Sequence, residues 1–162
     1  MRINIQWLGD NAQPSDDPVK GSPCIEIGLS PNAQTPSAER RVLWATALVD
    51  TGADFVGASQ DLISDLGLEQ IGTVSQVNAS PGTGIFGAHL FVRGGELAIP
   101  SIVIPWSFGD GVPYRLLLGR SFLQYFSLVV SPIGESFLEE LPDVSHVRPL
   151  SSYLTSPIGE EG

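Results

Sequence analysis

Asp50 is the residue of this chain best placed to do chemistry. It ends the apolar run Ala47-Leu48-Val49 and is followed at once by Thr51, Gly52, Ala53 and a second acid, Asp54. An apolar strand that ends on an acid brings a carboxylate out of the interior. The small hydroxyl residue and the glycine behind it turn the backbone sharply beneath that carboxylate. A carboxylate held there is suited to general acid–base work. Asp50-Thr51-Gly52 is also a good plain turn, so the flanks and the rest of the chain must decide.

A second motif lies downstream. Leu116-Leu117-Leu118-Gly119-Arg120-Ser121-Phe122-Leu123 reads as an apolar strand, a Gly-Arg step and a short helix with apolar residues. Between the two lies Thr83-Gly84-Ile85-Phe86-Gly87. Gly84 and Gly87 would let backbone approach a bound chain closely, and Ile85 and Phe86 would cover it. The competing reading of this stretch is a plain hairpin turn with no lid function.

Together, Leu48-Val49-Asp50-Thr51-Gly52-Ala53-Asp54 and the Gly119-Arg120 motif resemble the two signatures of the retropepsins, the retroviral-type aspartic proteases. The resemblance covers residues 22–131. It implies an all-β fold, a closed acid-protease barrel with a flap hairpin and one or two short helices. It makes Asp50, Thr51 and Gly52 catalytic. Substrate contacts would come from Ala53, Asp54, Gly84, Ile85, Phe86 and Leu117. Arg120 would pair with Asp54 and, with Gly119, support the site.

In that family water attacks the peptide carbonyl between two carboxylates, and no metal or other cofactor takes part. Asp-Thr-Gly occurs once here, so the resemblance implies a homodimer with one Asp50 from each subunit on a two-fold axis. The Thr51 hydroxyl would bond across the axis. A peptide or protein would bind as an added strand, and the chain itself is one candidate substrate. The alternative is a catalytically silent dimer of the same fold that binds peptides or serves assembly. A third reading is a β-barrel whose turn motif arose by chance.

Two features depart from the family. The connection from Leu29 to Val42 is long, and the segment after Pro132 lies beyond the usual last strand. The viral enzymes interleave both chain ends across their dimer, and a tail of this length does not suit that form of interface.

The 162 residues suffice for one domain with a real core. Eighteen glycines and 13 prolines favour short strands joined by turns over long helices. No apolar run reaches the ~20 residues of a membrane span, and no secretory signal opens the chain. Cys24 is the single cysteine, at the start of an apolar strand, so it reads as a buried thiol in a cytoplasmic protein. A formal charge of −10 with eight scattered Lys and Arg argues against nucleic acid. His89, His146 and Cys24 have no metal-ligand spacing, and no Gly-x-Ser-x-Gly elbow accompanies the histidines.

Patterning supplies the elements. Alternation predicts strands over 3–8 and 24–29, with a loop over 11–21 between them and a long hairpin connection from Pro31 to Arg41. An apolar strand over 42–49 follows, then a brief strand over 55–58. Ser59 caps a helix over 60–66, with Leu62, Ile63 and Leu66 on one face and Gly67 as its stop. Two strands within 70–93 flank a turn at Pro81–Gly84. Short strands over 96–99 and 101–104 are interrupted by Pro100. A buried strand spans 114–118, a helical turn 121–126 and a last strand 127–130. Trp44 reads as core; Trp106 and Phe108 read either as packing or as a cleft wall. The chain divides into an N-terminal extension (1–21), the protease-like domain (22–131) and an acidic, Pro-containing extension (132–162), expected to be a partly ordered appendage.

Overall fold

The alternating residues Ile25, Ile27 and Leu29 are at most 4% exposed, and they lie in the strand around which the barrel closes. The computed structural model describes residues 1–15, 20–31, 41–74, 83–94 and 97–148. Its strands are β1 (Arg2–Asn4), β2 (Gln6–Leu8), β3 (Ser22–Pro31), β4 (Leu43–Val49), β5 (Val56–Ala58), β6 (Glu69–Val74), β7 (Thr83–Val92), β8 (Ala98–Pro105), β9 (Leu116–Leu118), β10 (Phe126–Val129) and β11 (Phe137–Glu140). Two helices, α1 (Gln60–Leu66) and α2 (Arg120–Leu123), complete the list.

One side of β3 pairs with β4 over Cys24–Leu29. Its other side pairs first with β2 and then, from Ile27 to Pro31, with β7. That change of partner closes the sheet. The order β3-β4-β9-β5-β8-β7 returns to β3 as a closed six-stranded barrel, with β2 and β6 attached outside the ring. The fold is all-β. At the closing seam Arg93 bonds both Glu26 carboxylate oxygens, at 2.9 and 2.8 Å, and lies 4.3 Å above the Trp44 ring. The arginine holds the Glu26 carboxyl below its usual range. Trp44 is thus a half-open surface residue rather than core, because it covers the seam from outside.

Ile27, Leu29, Val56, Leu90, Leu116, Leu118 and Phe122 are fully buried inside the barrel. A second cluster, Ile85, Ile102 and Ile104, lies beside it with Phe55 and Ile71. Helix α1 has the bounds that the sequence predicts. Leu62, Ile63 and Leu66 are buried, and Gly67 stops the helix in the left-handed conformation at φ 61°. Nothing lies within 4 Å of a Cβ added to Gly67. Gly67→Ala should therefore cost only the backbone strain, about 1 kcal/mol, and a thermal melt checks it.

Three differences from the sequence reading have physical causes. The strand over 3–8 is two strands, because the chain changes sheets at buried Ile5, whose N–H donates to Ser136 O at 2.8 Å. Pro100 does not interrupt β8. β5 pairs with β8 only from Val103 onward, so Pro100 sits where that flank is an edge and no ladder bond is lost there. Residues 137–140 are no appendage. They form β11, the central strand of a second sheet, β1-β11-β10, with Leu138 fully buried. The expected loop over 11–21, the Pro31–Arg41 connection, the Pro81–Gly84 turn and the chain after 148 lie wholly or partly outside the described residues.

Cys24 is 1% exposed. Burial pushes its thiol up from 9.0 to about 11. The unfolded thiol therefore ionises first, and stability should fall as pH rises from 9.0 toward about 11. A thiol reagent at neutral pH should leave native Cys24 unmodified and label it fully once denaturant is added.

Candidate active site

Strand β9 determines the shape of the site. It runs parallel to β4 (Ala47↔Leu116, Val49↔Leu118) and antiparallel to β5 (Gly57↔Leu117, Ala58↔Leu116), so it lies between them. Residues 50–55, which join β4 to β5, must therefore arch past the end of β9. The apolar run before Asp50 and the three leucines of β9 are why this works. Ala47, Val49, Leu116, Leu117 and Leu118 are all buried, which anchors the arch on core packing.

Asp50 is the first residue out of that core, and it is half-buried. Its N–H continues the ladder to Leu118 O at 3.1 Å. Its Oδ1 accepts the Gly52 N–H at 2.9 Å, and its carbonyl accepts Ala53 N–H at 3.4 Å. These bonds form a tight turn that fixes the carboxylate over its own loop, the turn that a short acid followed by glycine favours. Thr51 and Gly52 are exposed at the tip.

The Gly119-Arg120 motif meets this arch. Arg120 N–H donates to Ala53 O at 2.8 Å, and Ser121 N–H to Asp54 O at 2.9 Å. The Arg120 guanidinium bonds the Asp54 carboxylate. The two sequence motifs are thus one structural unit, and the pairing of Arg120 with Asp54 is observed. Both partners are more than 60% exposed, so the pair orients Asp54 more than it stabilises the fold. Arg120→Met should change stability by no more than about 1 kcal/mol, read as a small shift of the thermal midpoint.

Asp50, Gly52, Ala53 and Asp54 form the polar floor of a cleft of about 360 Å³. Phe55, Ile104, Trp106 and Leu117 form its apolar wall. Of the residues singled out in the sequence, Asp50, Gly52, Ala53, Asp54 and Leu117 line this cleft, whereas Thr51, exposed between Asp50 and Gly52, is not among its lining residues. Trp106, 48% exposed, stands in the wall, whereas Phe108 packs edge-on against Tyr114 at 5.7 Å. Phe55 and Ile104 were not read as site residues. Phe55 directly follows the Asp54 turn, a position that could have marked it. Ile104 carries no local signal, because β8 reaches the cleft only through its pairing with β5.

The expected flap residues lie elsewhere. Gly84, Ile85, Phe86 and Gly87 are within β7, paired with Thr73, Gly72, Gln70 and Glu69 of β6. Ile85 is 4% exposed in the second apolar cluster, and Phe86 packs on the main core. Strand alternation sends the two to opposite faces of β7, each into a different apolar cluster, and neither lines the cleft. The bend of the β6–β7 hairpin falls in residues 75–82, outside the described residues. His89 lies farther along β7, opposite Pro100, and His146 contacts Gln124 O at 2.7 Å. Among the described residues no group of three His, Cys, Asp or Glu could hold a metal ion. Nor, among them, is any helix long and apolar enough to cross a membrane.

No family model matches the chain, and neither does any curated protein. Among solved structures it is similar to a retropepsin-like aspartic protease from Rickettsia conorii. The identity is 16%, the match covers 85% of this chain and 89% of that one, and the TM-score is 0.48.

Proposed function

We propose that this chain is an aspartic endopeptidase that works as a homodimer, with one Asp50 from each subunit flanking the lytic water. The observation that supports this best is the junction of the two motifs. Asp50 is held at the floor of an open cleft by a loop that Gly119, Arg120 and Ser121 brace from behind. Two carboxylates brought within hydrogen-bond reach cannot both ionise, so a facing pair shares one proton. The ionised member takes a proton from water. The protonated member polarises the scissile carbonyl, and water adds to it without a covalent enzyme intermediate.

Each residue of the loop then has a task. Thr51, exposed beside the acid, reaches across the axis to the partner loop. Gly52 keeps the turn tight and leaves room for a peptide backbone. Asp54, oriented by Arg120, receives backbone N–H groups of an extended substrate. Phe55, Ile104, Trp106 and Leu117 give the wall a preference for apolar side chains next to the cleaved bond.

The test is an unbiased peptide library incubated with purified protein from acidic to neutral pH. Cleavage between apolar residues, blocked by a hydroxyl isostere of the pepstatin type, is the expected result. Binding of peptides without cleavage at any pH would favour a silent peptide-binding dimer instead.

A further inference from the structure

The second sheet ends too early. Its order is β1-β11-β10, and among the described residues no strand pairs with the outer side of β10. In register with Leu138, Leu128 belongs to the sheet face that packs on the core. Leu138 is fully buried there, yet Leu128 is 37% exposed, and among the described residues no strand lies beyond it. Val129 and Val130 follow at 38% and 55% exposure. Among the described residues this leaves a strand edge uncovered, with an apolar core layer cut off at it, the kind of edge that soluble proteins otherwise shield.

Charge points to the occupant. The chain carries −10, so two copies repel over most of their surface. Residues 126–134 contain no charged side chain, and the two acids opposite β10 are both paired, Glu139 with Arg2 at 3.2 Å and Glu140 with the Met1 amine at 3.5 Å. This edge is where two such copies can meet without facing like charges. A strand edge is also self-complementary: laid antiparallel against its own copy about a two-fold axis, each free donor meets a free acceptor.

The edge is also coupled to the site. α2, whose first two residues hydrogen-bond to the Asp50 loop, leads into β10 through only Gln124 and Tyr125. Phe122 of α2 stacks on Phe126 of β10 at 5.1 Å.

We infer that the partner of this edge is a second copy of the chain, with β10 pairing antiparallel to β10 in a continuous six-stranded sheet. The inference rests on the homodimeric reading above and supplies its interface. β11 already occupies the inner flank of β10 within one chain, so no terminal strand has to cross between subunits.

Sedimentation velocity of the full chain over a wide concentration range tests it. The wild type should sediment as a species of twice 17.2 kDa. Leu128→Lys and Val130→Lys each put a charge into the paired edge of both copies, and should weaken self-association at least about tenfold. Val130 is exposed, so its variant should fold normally, and circular dichroism and melting confirm that for both. Asp50→Asn should sediment as the wild type does. A wild type that stays monomeric at every concentration overturns the inference, and so does a dimer that both lysine variants leave within about twofold of wild-type affinity. Absence of peptide cleavage would count against the protease reading alone and leave the sedimentation result standing.

Discussion

Asp50→Asn should lower peptide cleavage at least about 10³-fold while leaving the fold in place. The contrast between the two effects is what makes the variant informative. In the structure Asp50 has a second occupation besides any chemistry, since its Oδ1 accepts the Gly52 N–H at 2.9 Å and shapes the turn. Asparagine keeps an oxygen acceptor there, so the turn should survive. What asparagine cannot do is take a proton from water or share one with a facing carboxylate. Loss of turnover with an unchanged melting curve and unchanged sedimentation therefore isolates the proton chemistry. Asp50→Ala is the poorer probe, because it also removes the acceptor and frees the loop. The measurement is cleavage of the best library peptide by both proteins at the pH of highest wild-type activity. Equal rates would end the two-carboxylate mechanism.

How far the sequence could be read depended on the range of the interactions involved. Asp50 and its turn were legible because their signal is local: an apolar run, an acid and a glycine within six positions. Helix α1 was legible for the same reason, with its apolar face and Gly67 in one short window, although Ser59 stands at the N-cap position without its side chain making a capping bond. Arg120 and Asp54 are 66 residues apart, and only the family resemblance linked them. Trp44 was misread because its hydrophobicity is satisfied by a guanidinium on the outer surface. β11 was missed because an acidic, proline-punctuated segment gives a weak strand pattern. Its place comes from two distant partners, β1 and β10. Ile85 and Phe86 were assigned to a lid from nearby glycines, although the side to which a strand residue points follows from register, which glycine does not reveal.

Gly119→Ala should be a severely damaging change despite its small size. The backbone at Gly119, φ −85° and ψ −174°, is extended and open to any residue, so conformational strain is not the issue. The obstacle is space. A Cβ there would stand 2.2 Å from Phe55 O and 2.8 Å from Ala53 O, both backbone atoms of the arch that carries Asp50. Neither can rotate away as a side chain would. The arch must lift, and lifting it pulls on the Arg120 N–H···Ala53 O and Ser121 N–H···Asp54 O bonds that brace it. Overpacking against backbone together with strained backbone hydrogen bonds should cost about 3 kcal/mol or more, lowering the thermal midpoint by roughly 10 °C. Two controls separate this from a general effect of removing glycine. Gly109 has nothing within 4 Å of an added Cβ, so Gly109→Ala should leave stability and activity alike unchanged. At Gly52 the single close atom is Asp50 Oδ1 at 3.1 Å, the movable end of the very carboxylate the mechanism uses. Gly52→Ala should therefore spare the fold, within about 1 kcal/mol, and reduce cleavage by turning that carboxylate. If Gly119→Ala instead melts with the wild type, the arch is not seated on β9 as described. The bracing of Asp50 by the second motif, on which the proposed chemistry depends, would then fail with it.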